Sequence, residues 1–298
     1  MILSFDLSAD EDGGALPWRS IALTDGDRTM ELLADARIAL GKLTLGWPDV
    51  RSVTQARTDR SGTTDRTRLH GARALTVDLT IFGPGTWALL DELLAFCHPS
   101  ARPLLLLDNS DWPAPRRVRL RTEQVSAPAI AEMLDGVAVQ MSWVAPDGVL
   151  EAADELSATV MASGGAGSVG IRYPVRYPLT YAPGGGSGIV TVTNPGTAPA
   201  SPVARLYGPH TGPELVLDGV GSLSFPGLAI AAGDYLEVDF AAHTARVNGL
   251  PDASRYGALD FATATWWALP PGSSSVRFTP DNYAGAAQAL LTYRPTYL

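Results

Sequence analysis

The amino-acid sequence predicts a mainly β protein in two parts: an α+β domain dominated by antiparallel sheet, then an all-β sandwich or jelly roll. Three observations predict this. Apolar residues alternate with polar ones in the first half, as at Leu75, Val77, Leu79 and Ile81. Between Asp154 and Gly188 the chain turns rich in Gly, Ser and Pro. Beyond it, short strand-like runs follow one another, separated by turn residues.

In chain order, the strand at Leu75–Ile81 stops at Gly83-Pro84-Gly85. A helix is predicted from a Thr86 cap to Cys97, with Trp87, Leu90, Leu94 and Cys97 on its apolar face and Pro99 behind its end. Strands are expected to resume at Leu104–Leu107, Val118–Thr122 and Val137–Val144, the last with Val137, Val139, Met141 and Trp143 on one face. The predicted domains are therefore 1–153 and 189–298, joined by a linker over 154–188. Strands of the second domain are expected at Ile189–Thr193, Val203–Tyr207, Leu215–Leu217, Tyr235–Phe240, Thr244–Asn248 and Ala287–Tyr293, with a hairpin turning at Ala241-Ala242-His243. No helix is expected among them.

Composition narrows the function classes. A chain of 298 residues holds two ordinary cores more easily than one large one. The net charge of −9 disfavours a general nucleic-acid or acidic-membrane surface. One cysteine, Cys97, excludes an intramolecular disulfide and a multi-thiolate zinc site, and fits a reducing cytoplasm. No run has membrane-spanning length, and the start lacks the basic and apolar pattern of a secretion signal, so no membrane insertion is expected.

Catalytic chemistry finds little support. Gly165-Ala166-Gly167-Ser168-Val169-Gly170 fits a phosphate-cradling pattern, yet Ile171-Arg172-Tyr173-Pro174 follows where a helix must start, so a linker is the better reading and no cofactor is predicted. His70, His98, His210 and His243 are scattered and form no metal pair. Cys97 and His98 are adjacent on a helix and point apart, which suits a buried, inert thiol. The acidic pairs Asp10-Glu11 and Asp91-Glu92 read as solvated surface. No catalytic or metal-binding residue is assigned.

Two surfaces stand out for contacts. Arg51, Arg57, Arg60, Arg66 and Arg68, mixed with Asp59 and Asp65, read either as a solvated loop or as a protein-facing surface; with Arg116, Arg117 and Arg119 they are the candidate oligomer interface. In an alternating strand, one of Trp266 and Trp267 must point inward, which leaves the other for a partner or a sugar ring.

Several segments resemble a known family. Gly170–Tyr181, Val192-Thr193-Asn194-Pro195-Gly196-Thr197 and Leu206-Tyr207-Gly208-Pro209 resemble minor tail proteins of siphophages that infect actinobacteria. Ala232–Asp239, Val247-Asn248-Gly249, Trp266–Ser273 and Val276-Arg277-Phe278 are similar to the C-terminal domain of distal tail proteins. Thr67–Val77, the Trp87 helix and Ala101–Leu104 are similar to their N-terminal domain. The resemblance implies a split-barrel-like N-terminal domain forming a homohexameric ring and a galectin-like C-terminal β-sandwich. It implies a non-enzymatic hub of a long non-contractile tail, made in the host cytoplasm and placed at the virion tail tip. Its partners would be the tail tube protein, a tail-tip or tail-associated protein and a receptor-binding protein. A carbohydrate-binding receptor module and a tail-associated hydrolase are the alternatives.

Overall fold

A computed structural model describes residues 3–6, 17–56, 61, 63–126, 136–162, 188–283 and 287–298, with 3–6, 52–56 and 63–68 described as backbone. The chain divides into two compact units, Met1–Asp154 with Tyr297–Leu298, and Glu155–Thr296.

The first unit holds strands β1 (Leu3–Asp6), β2 (Trp18–Thr24), β3 (Thr29–Glu31), β4 (Ile38–Leu45), β5 (Val50–Ala56), β6 (Thr63–His70) and β7 (Arg73–Ile81), then the helix α1 (Thr86–Phe96). It continues through β8 (Leu104–Asn109), β9 (Arg116–Arg119), β10 (Arg121–Ser126), β11 (Val137–Ala145) and β12 (Leu150–Ala152). The strand β23 (Thr296–Tyr297) returns from the far end of the chain. One antiparallel sheet runs β1-β4-β7-β11-β10, and a second runs β23-β12-β9-β8-β2-β3. β7 alternates as expected, so Leu75, Val77, Leu79 and Ile81 are buried, and Val137, Val139, Met141 and Trp143 of the paired β11 are buried with them. These residues join Ile21, Leu23, Leu105, Leu107 and Val118 of the other sheet in one core.

The second unit contains β13 (Leu156–Met161), β14 (Ile189–Asn194), β15 (Val203–Tyr207), β16 (His210–Leu217), β17 (Gly221–Ser224), β18 (Ala229–Ile230), β19 (Tyr235–Asp239), β20 (Thr244–Val247), β21 (Gly272–Tyr283) and β22 (Gln288–Tyr293). Its sheets run β13-β22-β15-β19-β20 and β14-β21-β16-β17, with β18 also paired to β16. Residues from both, among them Leu206, Leu215, Val238, Phe278 and Leu291, share one core, which makes the unit a β-sandwich. Among the described residues of this unit the only helical turn is a short 3-10 segment, Tyr256–Ala258. The predicted hairpin is present, with Asp239 facing Thr244.

Five expectations are corrected. Of the predicted face of α1, Leu90 and Cys97 are buried, but Trp87 is 55 % exposed and Leu94 is exposed too, and the helix packs through Leu89, Leu90, Leu93 and Phe96. The helix also lacks the Thr86 cap: Gly85 occupies that position with φ +82°, and the Thr86 hydroxyl donates instead to the Gly83 carbonyl. The predicted strand Val118–Thr122 is split at buried Leu120, where the chain leaves one sheet and enters the other. The predicted linker begins too early, because Leu156–Met161 pairs along β22 and buries Val160 in the second core. The remaining linker, including the Gly165–Gly170 motif, lies outside the described residues, except that Gly188 is described. Finally, the Arg-rich stretch from Arg51 is not a loop throughout, since β5 and β6 pair over it.

Candidate functional site

The β5–β6 hairpin is a two-stranded sheet of its own, running from Val50 opposite His70 to Ala56 opposite Thr63 with a bulge between Ser52 and Thr54. Such a hairpin is marginal in water by itself. Two apolar residues at its base, Val50 and Leu69, are 52 % and 56 % exposed. Arg51 is exposed there and lines an open cleft of about 380 Å³ with Asp49, Gly71 and Arg121. Arg57 and Arg60 lie outside the described residues, and Arg66 and Arg68 are placed on β6 by their backbone.

The arginines of β9 divide by strand alternation. Arg117, on the outer face, donates through Nε and Nη2 to Glu151 at 3.0 and 2.8 Å. Arg116, on the side of buried Val118, packs its guanidinium against the rings of Trp112 and Tyr297 at 4.1 and 3.9 Å. Two of the three expected cross-subunit donors are thus engaged within their own unit, and Arg119 is the exposed one.

In the second unit the tandem tryptophans split as alternation requires, although neither lies in a named strand. Trp267 is 3 % exposed and packs on Phe240 at 4.0 Å. Trp266 is half-buried and stacks on His243 at 4.8 Å and nearly parallel to Tyr256 at 6.3 Å. Tyr256 meets Phe261 edge-on, and both of those rings are exposed. The result is an aromatic patch on the sandwich.

The titratable groups that could perform covalent chemistry are dispersed. Burial pushes the Cys97 thiol up to about 11, and Sγ lies 3.6 Å from Met141 Sδ. His98 is exposed and hydrogen-bonded to Ser100, while His210 is buried beside Phe278 in the other unit. No group of three or more His, Cys, Asp or Glu residues is placed to hold a metal ion among the described residues.

No protein-family model matches the chain, and no curated protein matches it in sequence. Solved structures do. The Dit protein of phage SPP1, described as a paradigm of the hub adsorption apparatus in phages infecting Gram-positive bacteria, superposes with a TM-score of 0.61 over 93 % of this chain and 99 % of its own, at 16 % identity. This chain has the fold of SPP1 Dit. A chain of the phage P2 baseplate in its activated conformation with calcium is also similar, with a TM-score of 0.47 over 92 % of this chain and 97 % of its own, at 11 % identity.

Sequence reasoning missed three exposed apolar features. Phe82, Trp87 and Leu94 are exposed on the first unit, Val50 and Leu69 flank the hairpin, and Tyr256 and Phe261 extend the Trp266 patch. The signal for the first was available: Trp87 and Leu94 are seven residues apart and share a face, but so do the buried Leu89, Leu93 and Phe96. Only the packing partner decides between them.

Proposed function

We propose that this chain is a non-enzymatic structural hub of a long non-contractile phage tail, joining tail tube to tail tip through protein contacts. The observation carrying this reading is the end-to-end likeness to the SPP1 Dit fold, which covers both units rather than one shared sandwich. In this reading the first unit is the split-barrel-like ring-forming domain, the second is galectin-like, and six copies close a ring at the virion tail tip. The resemblance to tail proteins of actinobacterial siphophages supplies the host class. Ring closure needs two different patches on each subunit. The base of the hairpin, with Val50, Leu69 and Arg51, and the exposed face of α1 with Trp87 and Leu94 supply two exposed candidates.

Light scattering of the purified chain tests the reading, with negative-stain images alongside. The expected particle is a ring of six times the 31.4 kDa chain mass. A monomer at every concentration up to the solubility limit would refute ring formation by the chain itself. The carbohydrate-binding alternative rests on the half-buried Trp266 with the exposed Tyr256 and Phe261, because Trp267 is buried. A glycan array without binding removes it.

A further inference from the structure

Two cations at the margin of the first unit's core form no ion pair among the described residues. Arg73 opens β7 on the same side as Leu75 and Val77, so strand alternation turns it between the sheets, where it is 3 % exposed. Its Nε donates to the Gly148 carbonyl at 3.1 Å, but its Nη2 is buried with no acceptor. Arg116 opens β9 on the core side, held against two aromatic rings, and its Nε is likewise buried with no acceptor. A guanidinium stacked on rings keeps its in-plane N–H groups for a partner, and its immobilised side chain has little entropy left to lose.

The charge of Arg116 also bears on Arg73. Burial first, and then the charge of Arg116, hold the Arg73 guanidinium below the usual arginine range. The acid nearest to Arg116 along the paired strand is Glu151, which lies opposite Arg117 and is bonded to it, while Ala152 faces Arg116. Gly148 brings the chain over Arg73 by a close approach to Gly71, where an added Cβ would stand 2.1 Å from the Gly71 carbonyl oxygen. A buried, unneutralised cation is unfavourable, and an incoming anion would offset part of that. This arrangement is unexpected in a chain whose net charge is −9.

We propose that Arg73 and Arg116 form a binding site for an oxyanion, a carboxylate or phosphate group that takes its hydrogen bonds from the unpartnered guanidinium edges. Nothing in this proposal depends on the tail-hub reading.

The test is thermal unfolding of the full chain in sodium phosphate against sodium chloride at matched ionic strength, with sodium acetate as the carboxylate probe. Phosphate also stabilises proteins generally by exclusion from their surface, and that effect does not saturate. The expected result is a saturable rise of the first unit's midpoint, with Arg116→Lys and Arg73→Lys each weakening the apparent affinity at least tenfold. The lysine variants retain the charge and remove the fork, which guards against simple misfolding. Phosphorus-31 line broadening of phosphate by wild type, lost in the variants, gives a readout independent of stability. Saturation by phosphate alone assigns the site to phosphate groups; saturation by both probes assigns it to oxyanions generally. Equal midpoints in phosphate, acetate and chloride overturn the proposal. So does a phosphate response that survives both lysine substitutions.

Discussion

At the scale of single residues, the sequence identified turn formers, and the structure shows how much more some of them do. Asn194 opens an Asn-Pro-Gly sequence of turn-forming residues. It is in fact 1 % exposed, with Nδ2 donating to the Ala198 and Leu269 carbonyls and Oδ1 accepting from the Gly196 amide. His210 was legible only as an isolated histidine. Burial holds its pKa below the ordinary 6.5, and its Nε2 lies 3.4 Å from the Leu206 carbonyl. The folded state therefore keeps the ring neutral at pH values where the unfolded chain binds a proton. The stability this contributes is present above pH 6.5 and is lost as pH falls below it. Asp35, held at about 2 by Arg37, titrates well outside that window. Melting curves between pH 7.5 and 5.5 are expected to fall more steeply for wild type than for His210→Gln. Parallel slopes would show that His210 does not govern this range.

At the scale of elements, strands with strict alternation were readable because one face of each is buried and the other is not. β7, β11, β15 and the β19–β20 hairpin all follow from this rule. What failed was half of the face on α1, where Trp87 and Leu94 are exposed while Leu90 and Cys97 are buried, and the ends of elements at sheet corners. Periodicity gives two acceptable stripes on α1, and the one that packs is fixed by β7 beneath it. The split at Leu120 has a similar cause, since a buried leucine looks the same whether the strand continues or changes sheet. The corrected helix face has a measurable consequence. Leu93→Ala removes a side chain with no exposure and is expected to cost about 2–5 kcal/mol. Trp87→Ala, on the outer face, is expected to cost less than about 1 kcal/mol to a monomeric chain. Denaturant titrations of both variants decide the matter, and the reverse order of costs would restore the sequence-based face.

At the scale of the whole molecule, two cores were expected from length and from the Gly-rich stretch, but the path of the chain between them was not. The first unit is completed by the last two residues, a connection no local pattern announces. The contribution is specific: Tyr297 is 6 % exposed, packs with the first core and lies against the Arg116 guanidinium at 3.9 Å. The second unit spans Glu155–Thr296 and has its own core. Separate cores predict two unfolding transitions in calorimetry, and the Tyr297 contact predicts which one responds to the chain terminus. Tyr297→Ala removes aromatic burial together with a desolvated cation–π contact, for a cost of roughly 3 kcal/mol. For a unit of this size that corresponds to a drop of roughly 5–10 °C in its midpoint. The expected trace keeps the second unit's transition in place and lowers only the first unit's, although the residues just before Tyr297 belong to the second unit. A variant that moves the second unit's transition instead would place Tyr297 energetically with the sandwich from which its strand emerges.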